Sequence, residues 1–257
     1  MGALIWITGA SSGIGAALAC TVPWEDARVI GVSRSVPPVG EHLQADLADV
    51  SSWAALGASF TRELDGFDGD RVVFMHAAGT LEPVGFAGEV DSRAYQANVL
   101  VNSAAPQVLG HLFLAAAREV DASRHLVMLT SGAAKSVYPG WSSYGAGKAA
   151  IDQWVRNAAG EQAIRGGVQV LSIAPGTVAT DMQARLRQSD EDDFPKRQKF
   201  VDLHDCGKLR DAEEVAREIW SLLDRDLEDN SVLDLRDLSE PAGSGGRKEP
   251  AGSGDRK

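Results

Sequence analysis

Residues 3–15 read Ala-Leu-Ile-Trp-Ile-Thr-Gly-Ala-Ser-Ser-Gly-Ile-Gly, and this stretch decides the fold. Residues 3–7 form a short apolar run typical of a buried strand, and the alanine-rich residues 16–22 are a helix candidate. The turn between them carries Gly9, Gly13 and Gly15. Where a strand passes through a glycine turn into a helix, the free N–H groups and the positive end of the helix point toward one place. A pyrophosphate can lie there. An ordinary glycine-rich turn is the alternative interpretation.

A second stretch, residues 142–150, reads Ser-Ser-Tyr-Gly-Ala-Gly-Lys-Ala-Ala at the start of a predicted helix. Tyr144 and Lys148 stand four positions apart, so they share one helical face. A free tyrosine has a pKa of about 10, and a nearby cation lowers that pKa, which would let Tyr144 act as acid or base. A chance pair on a solvated helix is the alternative for this motif alone. Ser131, at the end of the apolar run 126–130, adds a hydroxyl and strengthens the catalytic interpretation.

The glycine turn, Ser131, Tyr144 and Lys148 together resemble the short-chain dehydrogenase/reductase family, over roughly residues 3–236 and in the family's order. The resemblance implies a single-domain α/β fold of Rossmann type, with a doubly wound parallel sheet of about seven strands. We expect this NADP(H)-binding domain to cover residues 1–238. Pairing through the long helices predicted at 92–120 and 142–165 would make a homodimer or homotetramer.

Apolar runs further along the chain predict the remaining elements of this domain. They indicate strands at residues 28–32, 71–75, 126–130, 168–173 and 231–235, and helices at 51–64 and 212–223. Residues 183–206 are charged and read as irregular, which suits either a mobile lid or a solvated insertion. Residues 239–257 contain two copies of a nine-residue repeat that is rich in Gly, Pro and Ser, and we expect this tail to be disordered.

The cofactor preference is read from the end of the second strand, where Ser33-Arg34-Ser35 carries no carboxylate. A carboxylate there selects NAD, whereas the Arg34 guanidinium offers a fork of donors to a 2′-phosphate, so we favour NADPH. A solvated, unselective arginine is the alternative. With Arg34, the resemblance assigns the cofactor to Gly9, Ser11, Ser12, Gly13, Ile14, Gly15, Asp46, Leu47, Ala78, Gly79, Tyr144, Lys148, Pro175, Gly176, Val178, Thr180 and Met182. His76 and Ala77 depart from the family's Asn-Asn-Ala-Gly, and His76 is expected to be structural.

The resemblance also implies a mechanism, in which hydride passes from NADPH to a carbonyl carbon. Ser131 would hydrogen-bond the carbonyl oxygen, Tyr144 would donate the proton, and Lys148 would lower the phenol pKa and hold the nicotinamide ribose. Asn98 would bind a water that links Lys148 to solvent; an asparagine bonded to nearby helix backbone is the alternative.

Segments around the two catalytic stretches are most similar to sepiapterin and benzil reductases. Trp141 and Asp181 would then contact the substrate beside Ser131 and Tyr144, and a ketone or vicinal dicarbonyl is the expected substrate. A 3-oxoacyl thioester reductase or a secondary-alcohol dehydrogenase is the alternative. A non-catalytic NADP(H)-binding sensor is a further one, although such relatives typically lose the Tyr or the Lys that this chain keeps.

Bulk composition is that of a folded enzyme domain: 257 residues, 44% hydrophobic and 24% charged. The net charge of -11 argues against nonspecific nucleic-acid binding. The two cysteines, Cys20 and Cys206, lack metal-ligand spacing and suit a reducing compartment, so we expect no metal site. A strand that begins within three residues of Met1 leaves no room for a signal peptide. We therefore expect a cytoplasmic protein with no membrane segment.

Overall fold

One sheet of parallel strands organises the computed structural model of the chain, which describes residues 2–225, 227 and 231–238. The strands are β1 (Ala3–Thr8), β2 (Arg28–Ser33), β3 (Glu41–Gln44), β4 (Arg71–His76), β5 (Ser123–Leu129), β6 (Gln169–Ala174) and β7 (Val232–Asp234). Their order across the sheet is β3-β2-β1-β4-β5-β6-β7. The chain therefore winds outward from β1 in both directions, which confirms the doubly wound α/β fold predicted from the sequence.

Helices cover both faces of this sheet. They are α1 (Gly13–Cys20), α2 (Ser51–Leu64), α3 (Ser92–Val99), α4 (Ala105–Ala116), α5 (Ser142–Arg165), α6 (Asp181–Leu186), α7 (Arg197–Asp205), α8 (Ala212–Leu222) and α9 (Leu235–Leu238). A π-helical turn (Leu100–Ala104) joins α3 to α4, and a 3₁₀ turn (Gly132–Ala134) follows β5.

The central strand β1 shows why the fold has two apolar layers. Its side chains alternate between faces, so Trp6 packs with α2, α4 and α5, whereas Ile5 and Ile7 pack with α1 and α8. All three side chains are completely buried. A parallel strand covered on both faces needs an uninterrupted apolar sequence, which is what residues 3–7 supply.

Several sequence-based boundaries are corrected by the structure. The sequence indicated no bounds for the strand β3. The helix predicted at 92–120 is divided by the π-helical turn and ends at Ala116. Residues 183–206 are not irregular, because they contain most of α6 and all of α7. Leu186 and Phe200 are buried and give these short helices an inner face. The repeat tail predicted at 239–257 lies outside the described residues.

The helical run Ser92–Ala116 is 25 residues long and apolar enough, by length and composition, to cross a membrane. The sequence analysis expected no membrane segment, and among the described residues this run is the one that meets the length and composition of such a segment. In this fold the run is a packed element: α4 lies against α2, and the π-helical turn lies against α5. Core helices of α/β domains pass the same test.

Candidate active site

A cavity of about 270 Å³ opens at the carboxyl edge of the sheet, beside β1 and β4. The chain leaves β1 toward the layer of α1 and leaves β4 toward the layer of α4. Such a divergence makes a crevice in doubly wound sheets. The cavity brings together these predicted residues: Gly9, Ser12, Gly13, Ile14, Gly15, Ala78, Gly79, Ser131, Trp141, Tyr144, Lys148, Pro175, Gly176, Val178, Thr180, Asp181 and Met182.

The glycine turn after β1 forms one wall, and its backbone requires glycine. Gly9 and Gly13 have φ of 69° and 54°, in the left-handed region. A Cβ on Gly15 would lie 2.2 Å from the Gly9 carbonyl oxygen. The helix α1 begins at Gly13, and Ser12 before it provides no side-chain cap. The first N–H groups of α1 are thus left for a ligand, so this cradle fits the pyrophosphate of a dinucleotide.

Ser131 and Tyr144 meet on the opposite wall. Ser131 precedes the 3₁₀ turn, and its hydroxyl accepts from the Ala133 N–H at 3.2 Å. Burial raises the pKa of Tyr144 above its ordinary value, and the hydrogen bond with Ser131 acts in the opposite direction. The phenol is therefore protonated at neutral pH and is equipped to donate a proton.

Lys148 lies one helical turn further along α5 and is also buried. Its ammonium donates to the Leu129 carbonyl at 2.9 Å, and Nζ lies 5.7 Å from the centre of the Tyr144 ring. Burial lowers the pKa of Lys148 to about 8, against the opposing effect of Asp152. The lowering of the Tyr144 pKa expected from Lys148 does not occur, because burial of the phenol dominates.

Aromatic side chains close the outer end of the cavity, and we call Tyr138, Trp141, Phe194 and Phe200 the aromatic wall. Trp141 lies 4.6 Å from Phe194 and 5.5 Å from Phe200, centre to centre. The Trp141 ring also lies 5.2 Å from the ring of Tyr144. Three of the four line the cavity; the sequence had indicated only Trp141. Phe200 belongs to α7, so the segment predicted as a lid or insertion contributes to this wall and packs against Trp141.

The family model for short chain dehydrogenases matches residues 3–191 of this chain. The chain belongs to the short-chain dehydrogenase/reductase family.

Relatives within the family cover nearly the whole chain. A benzil reductase ((S)-benzoin forming) of Bacillus subtilis is 31% identical over 237 residues, which are 90% of this chain and 98% of the relative. A sepiapterin reductase of Mus musculus is 31% identical over 242 residues, 86% of this chain and 91% of the relative. The crystal structure of the KRED1-Pglu enzyme superposes with a TM-score of 0.75 at 27% identity, covering 90% of this chain and 99% of that one.

Two asparagines, not one, belong to the polar network beside Lys148. Asn98 is fully buried, and its amide donates to the carbonyls of Glu82 (2.7 Å) and Thr80 (3.3 Å). Asn102 donates to Asn98 Oδ1 at 2.8 Å and sits in the π-helical turn. The sequence analysis missed Asn102.

Of the two asparagines, Asn102 packs against α5, the helix that carries Tyr144 and Lys148. A Cβ added to Gly147 would lie 2.8 Å from the Asn102 Cβ, so the missing side chain lets the two elements touch beside Lys148. Pro106 was the sequence signal for an irregular turn at Asn102. Proline has no N–H to donate to the carbonyl four residues earlier, which here belongs to Asn102, and its ring clashes with that carbonyl.

His76 fills the place of the family's first asparagine and is completely buried. Thr8 accepts from the Ala78 N–H at 3.1 Å, and its hydroxyl lies 3.1 Å from His76 Nδ1. Thr8 can then donate to Nδ1, which puts the ring proton on Nε2. Within the described part of the chain, Nε2 has no hydrogen-bond partner. Burial lowers the pKa of His76 to about 3, with a smaller effect from Lys148, so the ring is neutral.

Other predicted residues lie away from the cavity lining. Among the described residues, Ser11, Arg34, Asp46, Leu47 and Asn98 do not line it. Arg34 is exposed at the end of β2, whereas the buried Leu47 accepts from the Trp53 indole at 3.1 Å.

The structure reveals neither a metal site nor a disulfide in the residues it describes. No group of three or more His, Cys, Asp or Glu side chains there is placed to hold a metal ion. Cys20 and Cys206 are exposed and unpaired.

Proposed function

We propose that this oxidoreductase is an NADPH-dependent carbonyl reductase whose single domain covers residues 1–238. Its substrates are ketones and vicinal dicarbonyls with apolar or aromatic substituents. The supporting observation is that Ser131, Tyr144 and Lys148 share one cavity with the glycine cradle. The similarity to a benzil reductase and a sepiapterin reductase supports the same substrate class.

The dinucleotide, when bound, supplies the hydride. The chain supplies the rest: the Ser131 hydroxyl donates to the substrate carbonyl oxygen, and the protonated Tyr144 gives that oxygen its proton. Lys148 holds the nicotinamide ribose through N–H groups that are not engaged by Leu129. Asn98, which accepts from Asn102 at 2.8 Å, would bind the water that links Lys148 to solvent, as the resemblance implies.

Aromatic substituents suit the cavity because its outer end is built from the aromatic wall. Stacked or edge-on rings contribute about 0.5–1.5 kcal/mol per pair beyond the area they bury. Asp181 and Met182 lie exposed at the same rim and would contact polar parts of a substrate. This combination favours aryl ketones over a long, flexible thioester.

The nucleotide preference follows from Arg34. Its guanidinium is exposed next to the β1 turn and has no ion-pair partner among the described residues. A 2′-phosphate would supply that partner. Assembly as a homodimer or homotetramer would cover the exposed Val99 and Val108 on the α3 and α4 side of the fold.

The test is NADPH oxidation by the purified protein with benzil, diacetyl, sepiapterin and an acetoacetyl thioester. We expect turnover of benzil or sepiapterin, and Tyr144→Phe should reduce kcat by about 10²–10⁴-fold while leaving NADPH affinity nearly unchanged. Turnover confined to the thioester would reassign the substrate. Binding of NADPH without turnover of any compound would favour a sensor, and full activity of Tyr144→Phe would mean that another group donates the proton.

A further inference from the structure

Three ionisable side chains follow one another along a buried face of α5. Tyr144, Lys148 and Asp152 are spaced by one helical turn each, and they are 7%, 5% and 4% exposed. The proposed function uses the first two. Asp152 has been given no role.

Asp152 has an unusual environment for a carboxylate. Its Oδ1 accepts from the Ser172 hydroxyl of β6 at 3.0 Å, and both residues are buried. No Lys, Arg or His in the described ranges forms a direct ion pair with it. A buried carboxylate with one hydroxyl donor is costly unless an opposite charge lies near. Lys148, one turn away on the same face, is that charge.

Lys148 in turn needs a negative charge. The groups that face it are Tyr144 and Asp152 on α5, His76 at the end of β4, and the Leu129 carbonyl on β5. Tyr144 and His76 are neutral at pH 7, so Asp152 is the anion of this set. Burial works against the charged amine, and Asp152 works for it.

We propose that Asp152 is a positioning residue that keeps Lys148 in its charged ammonium form. An ammonium has three N–H donors, one of which is held by Leu129, so two remain for the nicotinamide ribose. A neutral amine would have one donor fewer and would attract no partial negative charge. The charge state can be tested on the protein alone; its catalytic consequence rests on the proposed function.

The direct test is a pH titration of the Lys148 side-chain nitrogen by NMR of protein with ¹⁵N-labelled lysine, assigned with Lys148→Arg. In the wild type we expect a midpoint near pH 8. Asp152→Asn should lower that midpoint by about one pH unit or more. Glu161→Gln removes an exposed carboxylate from the same helix and should leave it unchanged.

Two further variants separate charge from packing. Ser172→Ala keeps the carboxylate, so the midpoint should move far less than in Asp152→Asn. The double variant Asp152→Ala/Ser172→Ala removes both hydrogen-bond partners together and serves if Asp152→Asn does not fold. An unchanged midpoint in a folded variant that lacks the carboxylate would overturn the proposal.

Kinetics then connect the charge to the reaction. The alkaline limb of kcat/KM for benzil should shift to lower pH in Asp152→Asn, in step with the NMR midpoint, and Glu161→Gln should match the wild type. If the NMR midpoint shifts in Asp152→Asn but the wild-type protein reduces no carbonyl compound, the result would contradict the proposed function and support the role of Asp152. Loss of activity at every pH with an unshifted midpoint would overturn that role.

Discussion

His76 illustrates how one buried side chain ties folding to pH. Its ring lies at the carboxyl end of β4, linked through Thr8 to the Ala78 N–H and therefore to the floor of the cavity. Burial holds the folded-state pKa at about 3, against an ordinary value near 6.5. Between these two values the unfolded chain binds a proton at this residue that the folded chain does not. The free energy of unfolding must then fall as the pH decreases from about 6.5 toward 3.

We predict that His76→Asn makes stability less sensitive to acid. Around pH 5, the His76 contribution to the slope is about 1.4 kcal/mol per pH unit, and it disappears with the imidazole. Urea denaturation at several pH values between 4 and 7 measures the slope for both proteins. Carboxylates with lowered pKa values, such as Asp234, contribute equally to both and cancel in the difference. Parallel slopes would show that His76 is not kept neutral in the folded protein.

Arg34 provides a second test at the residue scale. Arg34→Ala should weaken NADPH binding by about tenfold or more, because a charged hydrogen bond contributes roughly 1.5–3 kcal/mol, and should leave NADH binding nearly unchanged. The measurement is the Kd of each nucleotide by fluorescence titration. The control is Arg118→Ala, which replaces an exposed arginine two residues after the end of α4. Equal losses for both nucleotides would contradict a 2′-phosphate contact.

The element that the sequence predicted least well is the one that carries Asn102. An alanine-rich run from 92 to 120 indicates one helix, and helix propensity averaged over that run hides the π-helical turn that Pro106 signals. The strands β1, β2, β4 and β6 were predictable because apolar runs identify buried parallel strands. The strand β3 has exposed Glu41, His42 and Gln44 at the sheet edge, so it has no such run.

The same distinction applies to the site. The glycine turn and the pair of Tyr144 and Lys148 are short local patterns, so each could be recognised from its spacing. The family resemblance then implied that the two patterns meet in one site. Phe200 joins the cavity, and Phe194 packs behind it against Trp141, through tertiary packing of a charged segment. No pattern in that segment indicates this packing. The pKa of Tyr144 was misjudged for a related reason: helical spacing gives the neighbour, whereas burial depends on the whole fold.

Two glycines of α5 provide a matched pair for the contact with the π-helical turn. A Cβ on Gly147 meets Asn102 at 2.8 Å, whereas a Cβ on Gly160 meets nothing within 4 Å. Gly147→Ala should cost about 1–3 kcal/mol of stability and reduce kcat by tenfold or more, because displacing Asn102 disturbs Lys148. Gly160→Ala should stabilise by about 0.5–1 kcal/mol, because alanine favours helix.

Thermal unfolding and steady-state kinetics of both variants are the measurements. Similar gains in stability for the two substitutions would mean that α5 and the π-helical turn are further apart than the structure has them.

At the scale of the whole molecule, exposed apolar side chains on the α3 and α4 side offer a surface through which two copies of the chain could pair. Val99 and Val108 are 41% and 37% exposed. We predict a homodimer or homotetramer in solution that Val108→Glu dissociates, since an unpaired charge in an interface costs several kcal/mol. Light scattering after gel filtration measures the mass. Val50→Glu, exposed at the start of α2, should leave it unchanged, and a monomeric wild type would refute the prediction.

The strand order has a consequence for biosynthesis. The first strand to leave the ribosome occupies the middle of the sheet, and each later strand adds to an edge that is still open, first on one flank and then on the other. No strand has to be threaded between two neighbours that are already joined. The nascent chain can therefore extend its sheet in the order of translation. The inner face of α1 is completed last, because the Trp220 indole that donates to the Leu18 carbonyl is synthesised near the end of the chain.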